Sequence, residues 1–216
     1  MRNRLYQTAL KMIARQGYQS TTLRDLAAAA RVSPGLFYKY FPSKRAVVLA
    51  LYDDLSATYA SGCARLPPGP WRSRFLFALR SSLAVLATQR RAIRALVPTL
   101  IQAPEASGEG LFSSGTAFSR NRVQAVFAAA VSGASDAPEQ ATAGALGRVL
   151  YLVHLAVLLF WTLDQSPRQR ATSGLLDLLE RLAPVASLAL RLPSTRRTVL
   201  ALDLCCCEAL IGGEAP

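Results

Sequence analysis

The chain has 216 residues and is strongly basic, with 25 Lys and Arg against 13 Asp and Glu and a formal net charge of +12. Hydrophobic residues make up 51% and charged residues 18%, a composition that excludes an intrinsically disordered chain and predicts a packed core. The positive excess favours phosphate-rich nucleic acid or an anionic membrane surface as the partner.

Four short helices are predicted in the first 60 residues. Each apolar stripe follows the 3.6-residue period of a helix and is bounded by residues that end or begin helices. Glycine closes a helix in the left-handed conformation, Ser and Thr accept from free backbone amides, and proline fits the first turn. These boundary residues are Gly17, Thr21 or Thr22, Ser33-Pro34 and Pro42-Ser43, and the fourth helix runs to about Cys63.

The rest of the chain also reads as helical, after a clear break at Leu66-Pro67-Pro68-Gly69-Pro70. No stretch shows the period-two alternation of a strand, so the predicted fold class is all-α. Pro98 and Pro184 are each expected to kink or end a helix, and residues 103–115 are predicted to form a mobile loop. The predicted helical stretches are 71–101, 116–133, 139–164, 168–190 and 194–211.

The N-terminal helices have the dimensions of a helix-turn-helix. The second predicted helix has about nine residues and the third about eight, joined by a short turn at Arg31-Val32-Ser33. Residues 1–45 hold nine basic residues and one acid, an excess of 9 − 1 = +8, whereas residues 46–216 hold 16 basic and 12 acidic residues. This concentration of charge predicts contacts with phosphate.

The third helix divides into an inner and an outer face. Phe37 and Phe41 are four residues apart and are expected to pack against the first two helices. Exposed tyrosines beside Lys39 suit a nucleic-acid surface, because phenol hydroxyls donate to phosphate and lysine reaches a phosphate or a guanine edge. The residues left on the outer face are Pro34, Gly35, Leu36, Tyr38, Lys39 and Tyr40.

The start of the fourth helix is a predicted anion site. Ser43, Lys44 and Arg45 bring together free backbone amides, the positive end of a helix dipole and two cations. The alternative reading treats the tyrosines and cations of this region as ordinary surface residues of a small helical bundle.

The segments Gly17 to Ala27 and Val32 to Lys44 together resemble the N-terminal signature of the tetracycline-repressor (TetR) family of bacterial regulators. The resemblance covers roughly residues 5–52 and includes the run Val-Ser-Pro-Gly-Leu-Phe-Tyr-Lys-Tyr-Phe-Pro-Ser-Lys. It implies a DNA-binding domain at residues 1–48 and a helical domain at residues 49–216 that dimerises and holds a small inducer. The candidate DNA contacts are Thr22, Ser33, Pro34, Gly35, Leu36, Tyr38, Lys39, Tyr40, Lys44 and Arg45, with Pro34, Leu36 and Lys39 facing bases.

Three residues depart from that family's pattern. Arg31 stands where glycine is usual in the turn, which costs about 1 kcal/mol in a left-handed conformation or shifts the turn. Leu36 replaces a commoner threonine and favours contact with a thymine methyl group. Arg45 replaces a common glutamate, which makes electrostatic sense when a phosphate lies beside it.

The cysteine pattern and the N-terminus predict a cytoplasmic protein. Cys63 and the run Cys205 to Cys207 form no metal-ligand or disulfide framework, and no secretory signal is expected. The run is interpreted as small buried hydrophobes, with a thiol sensor as the alternative.

One apolar segment resembles a membrane span. Residues 149–163 form 15 residues without a formal charge, and at 1.5 Å per residue they reach about 22 Å, short of the hydrocarbon core of about 30 Å. We therefore expect a buried helix rather than a membrane span. Association of the basic N-terminus with a membrane surface is the alternative functional class.

A homodimer is predicted because the helix over residues 149–161 is apolar on all sides. Its own domain covers one face and a twofold partner covers the other, with Leu175 to Leu182 completing a four-helix bundle. A helix buried within a monomer is the alternative.

An apolar or aromatic small molecule is the expected inducer, because aromatic side chains concentrate in the C-terminal helices. His154 and Tyr151 are three residues apart and are expected to orient it by hydrogen bonds. No catalytic motif, metal site or cofactor motif is recognised, so no enzyme activity is predicted. The candidate pocket residues are Trp71, Phe75, Phe118, Phe127, Tyr151, His154 and Trp161.

Overall fold

A computed structural model describes residues 1–102 and 112–211 as a set of α-helices, and this part of the chain contains no β-strand. The predicted all-α fold class is confirmed. The helices are α1 (Arg2–Gln16), α2 (Leu23–Ala29), α3 (Pro34–Tyr40), α4 (Lys44–Gly62), α5 (Trp71–Ala87), α6 (Arg90–Gln102), α7 (Ala117–Ser132), α8 (Gln140–Leu163), α9 (Arg170–Ala189) and α10 (Pro193–Ile211).

Local side-chain chemistry sets the ends of the first helices. Gly17 ends α1 with a φ of 86°, a left-handed conformation that favours glycine. Thr22, one of the two predicted caps, accepts from the Asp25 amide at 3.2 Å, while the Asp25 carboxylate accepts from the Thr22 amide at 2.9 Å. This reciprocal pair is a capping box. Ser33 accepts from the backbone amide of Leu36 at 3.2 Å and so begins α3 as predicted.

Two compact units make up the chain. The N-terminal unit contains Met1–Ala57 and Leu86–Arg120, and the C-terminal unit contains Thr58–Val85 and Asn121–Pro216. The core of the N-terminal unit includes Phe37 and Phe41, which are 0% and 1% exposed, as predicted. It also includes Ala92 and Leu96 of α6. The helix-turn-helix core therefore uses residues beyond the predicted boundary after residue 48.

The C-terminal unit is organised by α8. One face of this helix is buried, including Leu150, Val157 and Trp161. Arg148 donates from Nε and Nη2 to the two carboxylate oxygens of Asp203, at 2.8 and 2.6 Å, and so joins α8 to α10.

Short polar contacts fix the connections of this unit. Asp136 accepts from the Trp71 amide at 2.7 Å and begins α5. The guanidinium of Arg74 donates to the backbone carbonyls of Pro67, Ala129 and Ala130, each at 2.9 to 3.0 Å. These bonds satisfy carbonyls at the end of α7 and hold the proline-rich break between α4 and α5.

Some predicted helix boundaries are wrong. The stretch 71–101 is two helices, because Thr88 and Gln89 form a turn between α5 and α6. Pro98 and Pro184 lie inside α6 and α9, in agreement with the predicted stretches 71–101 and 168–190, so neither proline ends its helix. In the predicted loop 103–115, residues 103–111 lie outside the described residues, whereas Ser114–Thr116 form a short 3-10 turn.

Candidate nucleic-acid interface

The connection between α2 and α3 has helix-turn-helix geometry. Two helices of seven residues each are separated by the four residues from Ala30 to Ser33. The backbone amide of Val32 donates to the Ala27 carbonyl at 3.1 Å and closes the turn. Arg31 adopts a φ of 54°, so it occupies the left-handed conformation where the sequence pattern predicts strain.

The outer face of α3 presents most of the predicted contact residues to solvent. Tyr38 is 47% exposed, and Pro34, Gly35 and Lys39 are also exposed. A β-carbon built on Gly35 meets no atom within 4 Å, so the backbone here is open to close approach by a partner. Half-buried Tyr40 packs against the core instead. Tyr40 is therefore less exposed than predicted, and its contact with DNA stays a prediction.

A concave groove of about 610 Å³, which we call the basic groove, lies beside α3. Three cations and several hydroxyl groups line it, with no acidic side chain among the lining residues. Such a surface matches the charge and hydrogen-bonding capacity of a phosphate group. The lining residues are Tyr18, Gln19, Thr21, Thr22, Leu23, Arg24, Tyr38, Ser43, Lys44 and Arg45.

The ammonium group of Lys44 is held in place at the wall of this groove. Its Nζ donates to the backbone carbonyl of Tyr18 at 2.9 Å and lies 4.5 Å from the centre of the Tyr18 ring. An ammonium has three donors, so this tethered group keeps donors for a phosphate oxygen.

Arg45 supplies a second cation with unused bonding capacity. Its Nε is buried and has no hydrogen-bond partner among the described residues. Arg45 as a whole is half-buried, and an anion in the basic groove would give its buried Nε a hydrogen-bond partner. Ser43 accepts from the Ala46 amide at 3.1 Å and fixes the start of α4 beside these two cations.

The structure brings four of the ten predicted contact residues together in the basic groove and adds others. Lys44, Arg45, Tyr38 and Thr22 share the basic groove, which Arg24 also lines. The hydroxyl of Thr22 donates to Asp25 at 2.6 Å, so it is committed to the capping box. Sequence reasoning missed Arg24, although its position in the first turn of α2, close to that capping box, is a signal for it.

Tyr18 was also missed, and no local pattern indicates it, because it contacts Lys44 across 26 positions of sequence.

The predicted pocket residues mostly gather in the C-terminal unit. Phe127 lies at the centre of what we call the aromatic cluster, formed by Tyr59, Phe75, Phe127, Tyr151 and His154. Its ring centre is 5.9 Å from that of Phe75, 6.3 Å from that of Tyr151 and 4.8 Å from that of His154. All five side chains are at most 5% exposed.

Three other predicted pocket residues are not among the five that define the aromatic cluster. Trp71 and Trp161 are buried, and the Trp161 indole donates to the Gln169 side chain at 2.9 Å. Phe118 is 71% exposed and belongs to the N-terminal unit, whereas the aromatic cluster belongs to the C-terminal unit. Tyr59 was missed by sequence reasoning because it lies before the proline-rich break.

The cysteines of α10 differ from the interpretation as small buried hydrophobes. Cys205 is exposed, and Cys206 and Cys207 are half-buried. Burial and the nearby Asp203 raise the pKa of Cys207, so that thiol is less reactive than usual. No group of three metal-ligating side chains occurs in the described part of the chain.

Helix α8 is long and apolar enough to cross a membrane by length and composition. One face of it is buried in the C-terminal unit, as in the core helix of a soluble protein.

Comparison with known proteins places these features in a family. Residues 5–51 match the family of bacterial regulatory proteins described as tetR family. A relative, the HTH-type transcriptional regulator YuxN of Bacillus subtilis, is itself uncharacterised. It is 45% identical over 49 residues, which are 23% of this chain and 17% of YuxN. The chain covers less than half the length of each curated relative that it matches.

Solved structures share the fold over most of the chain. A TetR transcriptional regulator from Nitrosomonas europaea is 22% identical with a TM-score of 0.58, covering 85% of this chain and 98% of its own. Thermus thermophilus FadR, a repressor solved with lauroyl-CoA, is 20% identical with a TM-score of 0.59, covering 85% and 93%. The predicted N-terminal helix-turn-helix and C-terminal helical domain are thus confirmed, and the resemblance of the N-terminal segment to the tetR family of bacterial regulatory proteins is confirmed over residues 5–51.

Proposed function

We propose that this protein is a cytoplasmic transcriptional repressor that binds a palindromic DNA operator as a homodimer and leaves it when a small apolar or aromatic molecule binds. The observation that carries the proposal is the exposed face of α3 beside the basic groove. Pro34 and Lys39 lie on the exposed face of α3, where they are available to base edges, and Lys44 supplies a fixed cation for the phosphate backbone.

Sequence-specific binding is supported by the presence of two kinds of residue, those placed to contact phosphates and those placed to contact base edges. Phosphate contacts position a protein on the duplex, and contacts with base edges select the sequence. Leu36 is half-buried and retains an exposed part, which suits contact with a thymine methyl group.

The homodimer is supported by apolar faces that the described residues of one chain leave uncovered. Leu159, Phe160 and Leu163 of α8 are 40%, 42% and 58% exposed. On α9, Leu178 and Leu182 are 51% and 50% exposed. Two copies of these faces have the composition of a four-helix interface related by a twofold axis, and a dimer of reading helices matches a palindromic site.

Ligand binding is supported by the aromatic cluster of the C-terminal unit. Its buried rings offer apolar contacts, and His154 offers a polar one, which is the usual make-up of a small-molecule site. The fold relative FadR holds lauroyl-CoA. For the ligand to release DNA, it must bind more tightly to the state that binds DNA poorly.

The alternative of membrane-surface association lacks an exposed apolar face on the first helices. Leu5 and Ile13 of α1 and Leu26 of α2 are each 0% exposed, so their apolar stripes are used in packing. A helix that binds a membrane surface instead needs its apolar face exposed, so that the face can enter the lipid.

The deciding experiment selects DNA from a random library with the purified protein and measures affinity for the selected site. We expect a palindromic site bound far more tightly than random DNA, and no comparable binding to anionic liposomes. Equal affinity for selected and random DNA would contradict the proposal. Ligand release is then tested by screening apolar compounds for loss of operator affinity, with 5- to 150-fold as the ordinary range.

A further inference from the structure

His154 is the chain's single histidine, and it lies in the middle of the aromatic cluster with 2% of its surface exposed. Its Nε2 lies 2.8 Å from the hydroxyl oxygen of Ser82. Its Nδ1 is buried and has no hydrogen-bond partner among the described residues. A buried ring nitrogen without a hydrogen-bond partner lowers the stability of the folded state, because its lost hydration is not replaced. A ligand that pairs with this atom would remove that penalty.

The hydrogen bond with Ser82 indicates which ring nitrogen of His154 carries the proton. The Ser82 hydroxyl is 3% exposed, and His154 is its one hydrogen-bond partner in the described chain. If Nε2–H donated to Ser82 instead, the hydroxyl proton and Nδ1 would both lack a partner, whereas donation by Ser82 leaves only Nδ1–H unpaired and is therefore favoured. Ser82 therefore donates to Nε2, and the proton of a neutral ring must reside on Nδ1.

The surroundings keep the ring neutral. Burial lowers the pKa of His154 to about 3, so the imidazole carries one proton throughout the physiological range. The walls are aromatic: the Phe127 ring centre is 4.8 Å away, and the Tyr59 ring is nearly parallel to the imidazole at 5° and 6.4 Å. The described partners of the imidazole are Ser82 and the aromatic rings of the cluster, none of which is acidic, so Nδ1–H is a neutral donor in apolar surroundings.

We propose that the Nδ1–H of His154 is the polar recognition point of the C-terminal unit, and that its ligand is a neutral, ring-containing molecule with a hydrogen-bond acceptor such as a ketone oxygen. This inference rests on the ligand-binding part of the proposed function and adds the ligand's chemistry. A carboxylate is disfavoured because no cation of the aromatic cluster compensates its burial. A hydroxyl or amine that needs to donate finds no acceptor at Nδ1.

The tautomer is tested directly by NMR of the protein labelled with ¹⁵N-histidine. Because the chain has one histidine, the spectrum contains one pair of ring nitrogens. We expect Nδ1 to be protonated and Nε2 unprotonated at neutral pH, with no titration down to pH 5. A protonated Nε2 with a bare Nδ1 would overturn the proposal, and so would an imidazolium at neutral pH.

Ligand chemistry is tested with two probes of nearly equal shape, 9-fluorenone and fluorene, which differ by one ketone oxygen. Calorimetry on the full-length protein should show 9-fluorenone binding about tenfold more tightly than fluorene, the value of one satisfied buried donor. His154→Leu should abolish that ratio while fluorene still binds. The matched control Phe75→Leu should weaken both probes and preserve the ratio.

Equal affinities of the two probes for the wild type, or failure of both to bind, would overturn the assignment. The control for folding is the helical circular dichroism signal of each variant. Operator affinity is measured separately with and without 9-fluorenone. Failure of ligand recognition by His154 can then be distinguished from failure of ligand-dependent release from the operator. If 9-fluorenone binds about tenfold more tightly than fluorene but does not change operator affinity, the proposed role of His154 is supported. The proposal that a ligand releases the protein from its operator is then contradicted.

Discussion

The ammonium of Lys44 and the backbone carbonyl of Tyr18 are joined by a hydrogen bond of 2.9 Å, which ties the start of α4 to the segment after α1. The bond uses the backbone of Tyr18, so it is available to any residue type at that position. It limits the rotamers of Lys44 before DNA arrives and so reduces the entropy lost when the side chain contacts a phosphate.

Lys44→Ala should weaken binding to selected and random DNA by a similar factor, about tenfold or more, because a phosphate contact carries no sequence information. If each subunit of the wild-type dimer neutralises about four phosphates, the slope of log K against log salt is about −7. Lys44→Ala should reduce the magnitude of this slope by about 2, because each subunit loses one phosphate contact. Fluorescence anisotropy over a salt series measures both quantities. Lys11→Ala on the exposed face of α1 is the matched control and should leave them nearly unchanged.

Leu36→Ala and Lys39→Ala should instead relax the preference at particular base pairs. Loss of a good base contact costs about 1–3 kcal/mol at the recognised position and little elsewhere. Affinities for single-base variants of the operator give the measurement. A uniform loss across all variants, like that expected for Lys44→Ala, would show that these residues of α3 do not read base edges as proposed.

Arg31→Gly should stabilise the protein by about 1 kcal/mol, because a side chain at a φ of 54° is strained where glycine is not. For a chain of this size the melting temperature should rise by about 2–4 °C. Arg31→Ala removes the charge and keeps the β-carbon, so this control should not show the gain. An equal rise in both variants would point to charge repulsion rather than backbone strain.

Asp164 should make stability depend on acid pH. Its carboxylate accepts hydrogen bonds from Ser166 and from the amide and hydroxyl of Thr172 at 2.6 to 2.9 Å, which hold its pKa well below the usual range. A depressed carboxyl pKa stabilises the folded state above the unfolded value of about 4, and this stability is lost as the pH falls below it. Asp164→Asn should therefore lower the melting temperature at pH 7 and approach the wild type as the pH falls from 4 to 2. A constant difference across that range would exclude the carboxylate's charge as the cause.

Leu182→Glu should convert the proposed dimer to a monomer, because it places a charge in an interface made of apolar side chains. Sedimentation of the wild type at micromolar concentration should give about twice 23.3 kDa. The variant should give half that mass and lose tight binding to the palindrome. Leu202→Glu, on the exposed surface of α10, is the control and should remain dimeric. A wild-type monomer that binds the full palindrome tightly would contradict the dimer.

The first four helices and their inward residues were predictable because local chemistry decides them. The cap at Thr22, the stop at Gly17 and the four-residue spacing of Phe37 and Phe41 are all readable along the chain. The basic groove was only half predictable. Lys44 and Arg45 are adjacent in sequence, whereas the partner that holds Lys44 comes from the segment after α1.

Contacts distant in sequence explain the other errors. Phe118 is aromatic like its supposed neighbours, but helix periodicity does not say which compact unit a residue joins. The break at Thr88 and Gln89 carries no proline or glycine to announce it.

The way the chain contributes α6 to the N-terminal core has a consequence for engineering. Ala92 and Leu96, 2% and 0% exposed, complete a core whose other members lie before residue 52. A fragment cut after the helix-turn-helix would leave the apolar surface that these two side chains cover open to water. The helix-turn-helix is therefore not expected to fold independently of α6. A chimaera that transfers its DNA specificity to another protein must also include the face of α6 that carries Ala92 and Leu96.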